Sequence, residues 1–155
     1  MKLYLVQHGE ASPEETDPER PLSDKGRSDT SKAAAFLREA GISVETILHS
    51  TKLRAEQTAR ILADTLDQRC DVVKRDFLSP NDPLDNILDE ISRRDDDLMI
   101  VGHLPFLDRL TSRLILGSEE KSIVRFRQGG VLFLERGEER SWRITGFIVP
   151  DLLQK

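Results

Sequence analysis

Cysteine is almost missing from this sequence: Cys70 is the single one in 155 residues. That excludes an internal disulfide framework and any cysteine-rich zinc site, and a reducing compartment is expected. Long apolar runs are missing too. Met1-Lys2 passes straight into Leu3-Tyr4-Leu5-Val6, too short for a signal-peptide core, and no stretch approaches the roughly 20 residues of a membrane helix. An excess of positive charge is also lacking: 23 Lys and Arg stand against 28 Asp and Glu, a formal net charge of −5. The signs are scattered, so neither nucleic acid nor a membrane surface is implied as a partner. Repeats, low-complexity segments and linkers are absent as well. The expectation is a soluble cytoplasmic protein with one domain over residues 1–155, long enough to bury a core without cross-links.

What is there is an alternation of strand-like and helix-like segments. Lys2 to Gln7 reads as a buried strand, followed by the polar loop HGEASPEETDPER. Ser23 caps a helix whose apolar positions are Ala34, Phe36, Leu37 and Ala40, with Gly41 placed to stop it. Ile42 to Ser50 gives a second strand, Lys52 to Leu66 a second amphipathic helix, and Cys70 to Lys74 a short third strand. Asn81-Asp82-Pro83 caps a helix bearing Leu84, Ile87, Leu88 and Ile91. Asp97 to Gly102 is an apolar run of the kind buried on both faces of a parallel sheet, and Leu104-Pro105 opens a helix ending at Leu116-Gly117. In the tail, Ile123 to Phe126, Val131 to Glu135 and Trp142 to Val149 read as strands joined by turns, with Trp142, Phe133 and Phe147 in the core and Arg136 to Arg140 a solvated hairpin turn. The predicted fold class is α/β, a mainly parallel sheet with antiparallel strands added late.

In open α/β sheets ligands bind beyond the carboxyl ends of the strands. All three histidines fall at predicted strand ends: His8 before Gly9, His49 before Ser50, and His103 after Gly102. A single strand-end histidine is more often a hydrogen-bonding residue than a catalyst. Two flanked by glycine, with Arg54 in the first turn of a helix that also starts at a strand end, make a site for a phosphate or carboxylate. His49 precedes Ser50 by one residue and points away from it in an extended strand, so it reads as structural. His8-x-Glu10 does not open a zinc deaminase site, because the partner motif needs two cysteines.

The order Gln7-His8-Gly9-Glu10-Ala11, Arg20-Pro21-Leu22-Ser23, Ser50-x-x-x-Arg54-Ala55-Glu56-Gln57-Thr58-Ala59 and Val101-Gly102-His103-Leu104-Pro105 resembles the histidine phosphatase superfamily. Its short SixA-type phosphohistidine phosphatase branch is the nearer match, in motif order and in the absence of large insertions. The resemblance implies a phosphoglycerate mutase-like, three-layer α/β/α sandwich. It implies His8 as nucleophile, with Arg54 and His103 gripping phosphoryl oxygens and Gln7, Gly9, Ser50 and Arg20 completing the phosphate site. Neither metal nor cofactor is implied, since phosphoryl transfer depends mostly on positioning and charge stabilisation. Arg54 is expected to disfavour the imidazolium and hold His8 in its attacking form.

Gln7 departs from the family pattern, which has arginine before the nucleophile. A neutral amide cannot form the bidentate guanidinium fork. The loss of a charged hydrogen bond costs about 1.5–3 kcal/mol, or roughly one to two orders of magnitude in rate. Arg20 has two readings, a compensating cation or an anchor of its loop; Lys52 is a weaker candidate. For a general acid the sequence offers Glu10, Asp76 and Asp82, none of them convincing. Without an obvious acid the site suits a phosphohistidine, which departs as neutral imidazole, better than an alkyl phosphate. The expected partner is therefore a phosphorylated protein, the alternatives being a small phosphorylated substrate or a phosphate-binding regulatory role in which Gln7 marks weakened catalysis.

Overall fold

The computed structural model of the chain describes residues 1–66 and 69–153; the remaining four of the 1–155 span predicted as one domain lie outside the described residues. Its elements are β1 (Lys2–Gln7), α1 (Asp24–Glu39), β2 (Thr46–His49), α2 (Leu53–Leu66), β3 (Asp71–Lys74), α3 (Asp85–Ser92), β4 (Leu98–Gly102), α4 (Phe106–Leu116), β5 (Val131–Arg136), β6 (Trp142–Ile148) and a 3₁₀ turn at Pro150–Leu152. The strands form one sheet in the order β3-β2-β4-β1-β5-β6. The first four are mutually parallel, whereas β5 pairs antiparallel with β1 and β6 antiparallel with β5.

The period-two rule divides the core between the two faces of this sheet. Leu3, Leu5, Leu48, Leu98, Ile100, Leu132 and Leu134 face Ile87 and Ile91 of α3 and Phe106, Leu107 and Leu110 of α4. Their neighbours Tyr4, Val6, Ile47, Met99, Val101 and Val131 face Ala34 and Leu37 of α1 and Ala55, Ala59 and Leu62 of α2. The result is a three-layer α/β/α sandwich. Continuous apolar runs mark the central strands because both of their faces are covered.

Helix α1 begins where the sequence places it: Ser23 Oγ accepts the Gly26 N–H at 3.0 Å. Its buried stripe is Ala33, Ala34 and Leu37. Phe36, predicted on that stripe, is 40% exposed, because two residues from Ala34 is more than half a helical turn away. The second strand spans only Thr46–His49, shorter than the predicted Ile42–Ser50. Asp82 is not a helix cap; its carboxylate accepts the Ser79 N–H at 2.8 Å, closing a turn before α3.

Ile123–Phe126 forms no strand. The segment crosses over α4 instead, with Ser112 Oγ donating to the Lys121 carbonyl and Phe126 pushed into the core. Phe147 is 38% exposed rather than buried, while Phe133 makes an edge contact with Tyr4 and Trp142 packs against the core. The β5–β6 turn is solvated at Gly137 to Arg140, as expected, and its two arginines also reach back onto the protein. Arg136 donates to the carbonyls of Ile91 and Arg94, and Arg140 to that of Ser92, all at the end of α3.

Candidate active site

Strands β2, β4 and β1 are adjacent and parallel, so their carboxyl ends open onto one edge of the sheet. The residue beyond each is polar: Ser50, His103 and His8. The His8 backbone N–H extends the β1–β4 ladder by donating to the Gly102 carbonyl at 3.0 Å, which brings His8 close to His103. Their ring centroids lie 4.9 Å apart at an interplanar angle of 54°.

His8 is buried, and its Nδ1 lies 2.7 Å from the Gly9 carbonyl oxygen. A carbonyl only accepts, so Nδ1 is the donor and carries the proton, and the neutral ring keeps its lone pair on Nε2. The ring is neutral because its pKa is lowered from 6.5 to about 4, chiefly by burial; Arg54 and Arg20 push the same way against the Gly9 hydrogen bond. Arg54, expected to be the cause, thus ranks below desolvation. For His103 the pKa falls to about 3, again mostly through burial, with His8, Arg54 and Lys52 adding to it.

Gly9 is held by its surroundings. Its N–H donates to Thr58 Oγ1 at 3.0 Å, and that hydroxyl donates to the Arg54 carbonyl at 2.8 Å. A Cβ on Gly9 would sit 2.7 Å from Thr30 Oγ1 and 2.9 Å from the Gly26 carbonyl. The Gly9 N–H, expected on phosphate, is therefore committed to Thr58, and the glycine serves close packing. Ser50 is likewise engaged elsewhere: its fully buried Oγ lies 2.6 Å from His103 Nε2.

Two arginines supply the charge. Arg54 stands in the first turn of α2, its pKa lowered by burial and by Arg20. Arg20 arrives from the loop between β1 and α1, which folds back on itself through Ser12 N–H to Pro21 O, Ser23 N–H to Glu10 O, and a bridge between Ala11 and Leu22. Its backbone is left-handed at φ 50, and its Nε donates to the Ser12 carbonyl at 3.2 Å. Arg20 is thus both loop anchor and neighbouring cation. Gln7, the last residue of β1, has a buried Oε1 with no partner among the described residues, while its carbonyl accepts the Gly129 N–H.

The carboxylates named as acids are not assembled with the histidines. Glu10 accepts from Ser23 Oγ at 2.7 Å, Asp82 closes its turn, and Asp76 is exposed, its charge acting on Arg75. The charges that act on the two rings are cationic. His49 is buried with Nδ1 2.8 Å from the Ser50 carbonyl, as a structural residue would be. Two contributors escaped the sequence reading. Thr58 lies one helical turn after Arg54, and that i,i+4 spacing could have found it. Gln57 accepts the Leu22 N–H and ties the arginine loop to α2. Lys52, the weaker candidate cation of the sequence, is exposed and acts on His103 from the turn before α2. Among the described residues, no cluster of three or more His, Cys, Asp or Glu is arranged to hold a metal, and no helix is long and apolar enough to cross a membrane.

A sequence model of the histidine phosphatase superfamily (branch 1) matches residues 3–79. An uncharacterized protein of Picosynechococcus sp. is 32% identical over 148 residues, 90% of this chain and 88% of that one. The phosphohistidine phosphatase SixA of Escherichia coli is 25% identical over 122 residues, 76% of each chain. The fold is similar to the solved structure of protein histidine phosphatase SixA complexed with tungstate, with a TM-score of 0.85 at 22% identity over 97% of this chain and 98% of that one. With the motif order, the three-layer fold and these matches in agreement, the chain belongs to the histidine phosphatase superfamily, branch 1, and is a phosphatase of that family.

Proposed function

We propose that this phosphatase acts on phosphohistidine in a protein, through a phosphohistidine intermediate on His8, with no cofactor. The observation that carries the reading is the state of His8: a buried neutral ring, its Nδ1–H engaged by the Gly9 carbonyl, its Nε2 lone pair available beside two arginines. Nε2 attacks phosphorus while the P–N bond to the substrate imidazole breaks and its electron pair stays with that nitrogen. Arg54, Arg20 and His103 hold the phosphoryl oxygens as charge shifts across them. Water then cleaves the phosphoramidate on His8, releasing inorganic phosphate and restoring the ring.

The substrate class follows from the leaving group. An alkoxide needs a proton from a nearby acid, and Glu10, Asp76 and Asp82 are occupied or exposed elsewhere. A phosphohistidine protonated on its other ring nitrogen leaves as neutral imidazole and needs none. The relative of the same type in Escherichia coli, named a phosphohistidine phosphatase, supports this choice.

The test is phosphate release from a phosphohistidine-bearing protein and from an alkyl phosphate, in the presence of chelator, with His8→Ala in parallel. The expected result is faster release from phosphohistidine and loss of that release in His8→Ala. Faster turnover of the alkyl phosphate would overturn the substrate class, and unchanged activity in His8→Ala would overturn the nucleophile. Binding of inorganic phosphate with no release from either substrate would mark a regulatory protein instead.

A further inference from the structure

Ser50 and His103 come from neighbouring parallel strands. The register pairs His49 with Val101, so Ser50 is level with Gly102 and His103 overhangs it by one residue. The two side chains meet at 2.6 Å, Ser50 Oγ to His103 Nε2, and both residues are buried. Ser50 Oγ also receives the backbone N–H of Lys52 at 3.3 Å.

The contacts of Ser50 Oγ suggest a direction for the short bond. The Lys52 N–H can only donate, so it uses a lone pair of Ser50 Oγ. The hydrogen of the Ser50 hydroxyl then has one acceptor among the described contacts of that oxygen, His103 Nε2. A nitrogen that accepts is unprotonated, and a neutral imidazole unprotonated at Nε2 carries its hydrogen on Nδ1. His103 Nδ1 is buried and has no hydrogen-bond partner among the described residues. A buried donor without a partner is costly unless something else completes it.

We propose that Ser50 is a positioning residue whose hydroxyl donates to His103 Nε2 and fixes His103 as the Nδ1–H tautomer, so that this N–H is the one offered to a phosphoryl oxygen. The inference rests on the phosphoryl-transfer reading above and reassigns Ser50 from phosphate contact to support of the residue that makes the contact. It also pairs the two histidines by use. Both carry their hydrogen on Nδ1, His8 through the Gly9 carbonyl and His103 through the Ser50 hydroxyl. In His8 the atom left over is a lone pair, which attacks. In His103 it is a hydrogen, which steadies the oxygens under attack. The other His103 tautomer would present a lone pair to an anion.

The decisive measurement is the ring-nitrogen NMR signature of His103 in the wild type, Ser50→Ala and Ser50→Thr, read beside inorganic phosphate binding and turnover. The expected wild-type signal has Nδ1 protonated and Nε2 bare. Ser50→Ala is expected to lose that preference, weaken inorganic phosphate binding about tenfold and lower kcat by about 10- to 100-fold; Ser50→Thr, which keeps the hydroxyl, is expected to restore the tautomer and most of the rate. A wild-type His103 protonated on Nε2 would overturn the proposal even if Ser50→Ala failed to fold. So would an alanine variant with unchanged tautomer and phosphate affinity. The tautomer and phosphate readings need no turnover, so failure of the phosphatase reading, seen as a wild type that releases no phosphate, is distinguishable from failure of this one.

Discussion

His8 owes its chemistry to one neighbour in sequence and to burial. Gly9 gives the carbonyl that fixes the tautomer, and burial removes the proton that would block Nε2. The acid limb of kcat/KM for the free enzyme is therefore expected near pH 4, where His8 protonates, and not near the ordinary 6.5; a pH–rate profile with a substrate that does not itself titrate there checks it. Gln7 is the other residue with a measurable consequence. Its buried Oε1 has no hydrogen-bond partner among the described residues, and Gln7→Arg is expected to raise kcat/KM about tenfold by restoring a charged hydrogen bond to the phosphoryl group. Unchanged kcat/KM would mean that Arg20 already supplies that charge. At this scale the sequence was informative about which residues converge, since His8, Arg54 and His103 sit at strand and helix ends that the topology brings together. It was uninformative about what their neighbours are bound to. The commitment of Gly9 to Thr58, of Ser50 to His103 and of Glu10 to Ser23 depends on side-chain directions that no spacing encodes.

Among the elements, the loop between β1 and α1 is the most constrained. It carries Glu10 past the first turn of α1 so closely that a Cβ on Gly26 would fall 2.1 Å from the Glu10 carbonyl oxygen, a backbone atom with no rotamer to yield. Gly26→Ala is therefore expected to cost about 1–3 kcal/mol and to reduce activity by displacing the loop that follows His8; urea unfolding and phosphate-release assays read the two effects. The helices and central strands were legible because period and capping agree: Ser23 at the start of α1, and an unbroken apolar run for β4. The segment at Ile123–Phe126 misled because alternation of apolar and charged residues describes any extended chain lying on a core, paired or not. The carbonyl contacts of Arg136 and Arg140 were not legible for a related reason, as charge in a solvated turn says nothing about whether a helix end with open carbonyls lies within reach.

For the molecule as a whole, two of the three buried histidines make acid the natural denaturant. Both have folded-state pKa values below the unfolded 6.5, about 4 for His8 and about 3 for His103. Below pH 6.5 the unfolded chain binds protons that the folded chain refuses, so stability is full above that pH and is lost as pH falls toward 4. At about 1.4 kcal/mol per unit the loss from His8 alone is on the order of 3 kcal/mol. Urea midpoints are expected to drop between pH 7 and pH 4.5, and to drop less in His8→Gln; an equal drop in the variant would remove His8 from the account. The fold class was readable at this scale from the strand–helix alternation alone, whereas the strand order was not.

That order has a consequence for how the molecule is made. Strand β4 (Leu98–Gly102) lies between β1 (Lys2–Gln7) and β2 (Thr46–His49) and is hydrogen-bonded to both, yet it is made well after them. The first 66 residues already hold His8, Ser50 and Arg54, but β1 and β2 have no shared ladder until residues 98–102 slide between them. The same insertion delivers His103. A chain that ends before residue 98 therefore lacks both the strand that joins β1 to β2 and the histidine that follows it, and this joining is a long-range contact of the kind that is slow to form.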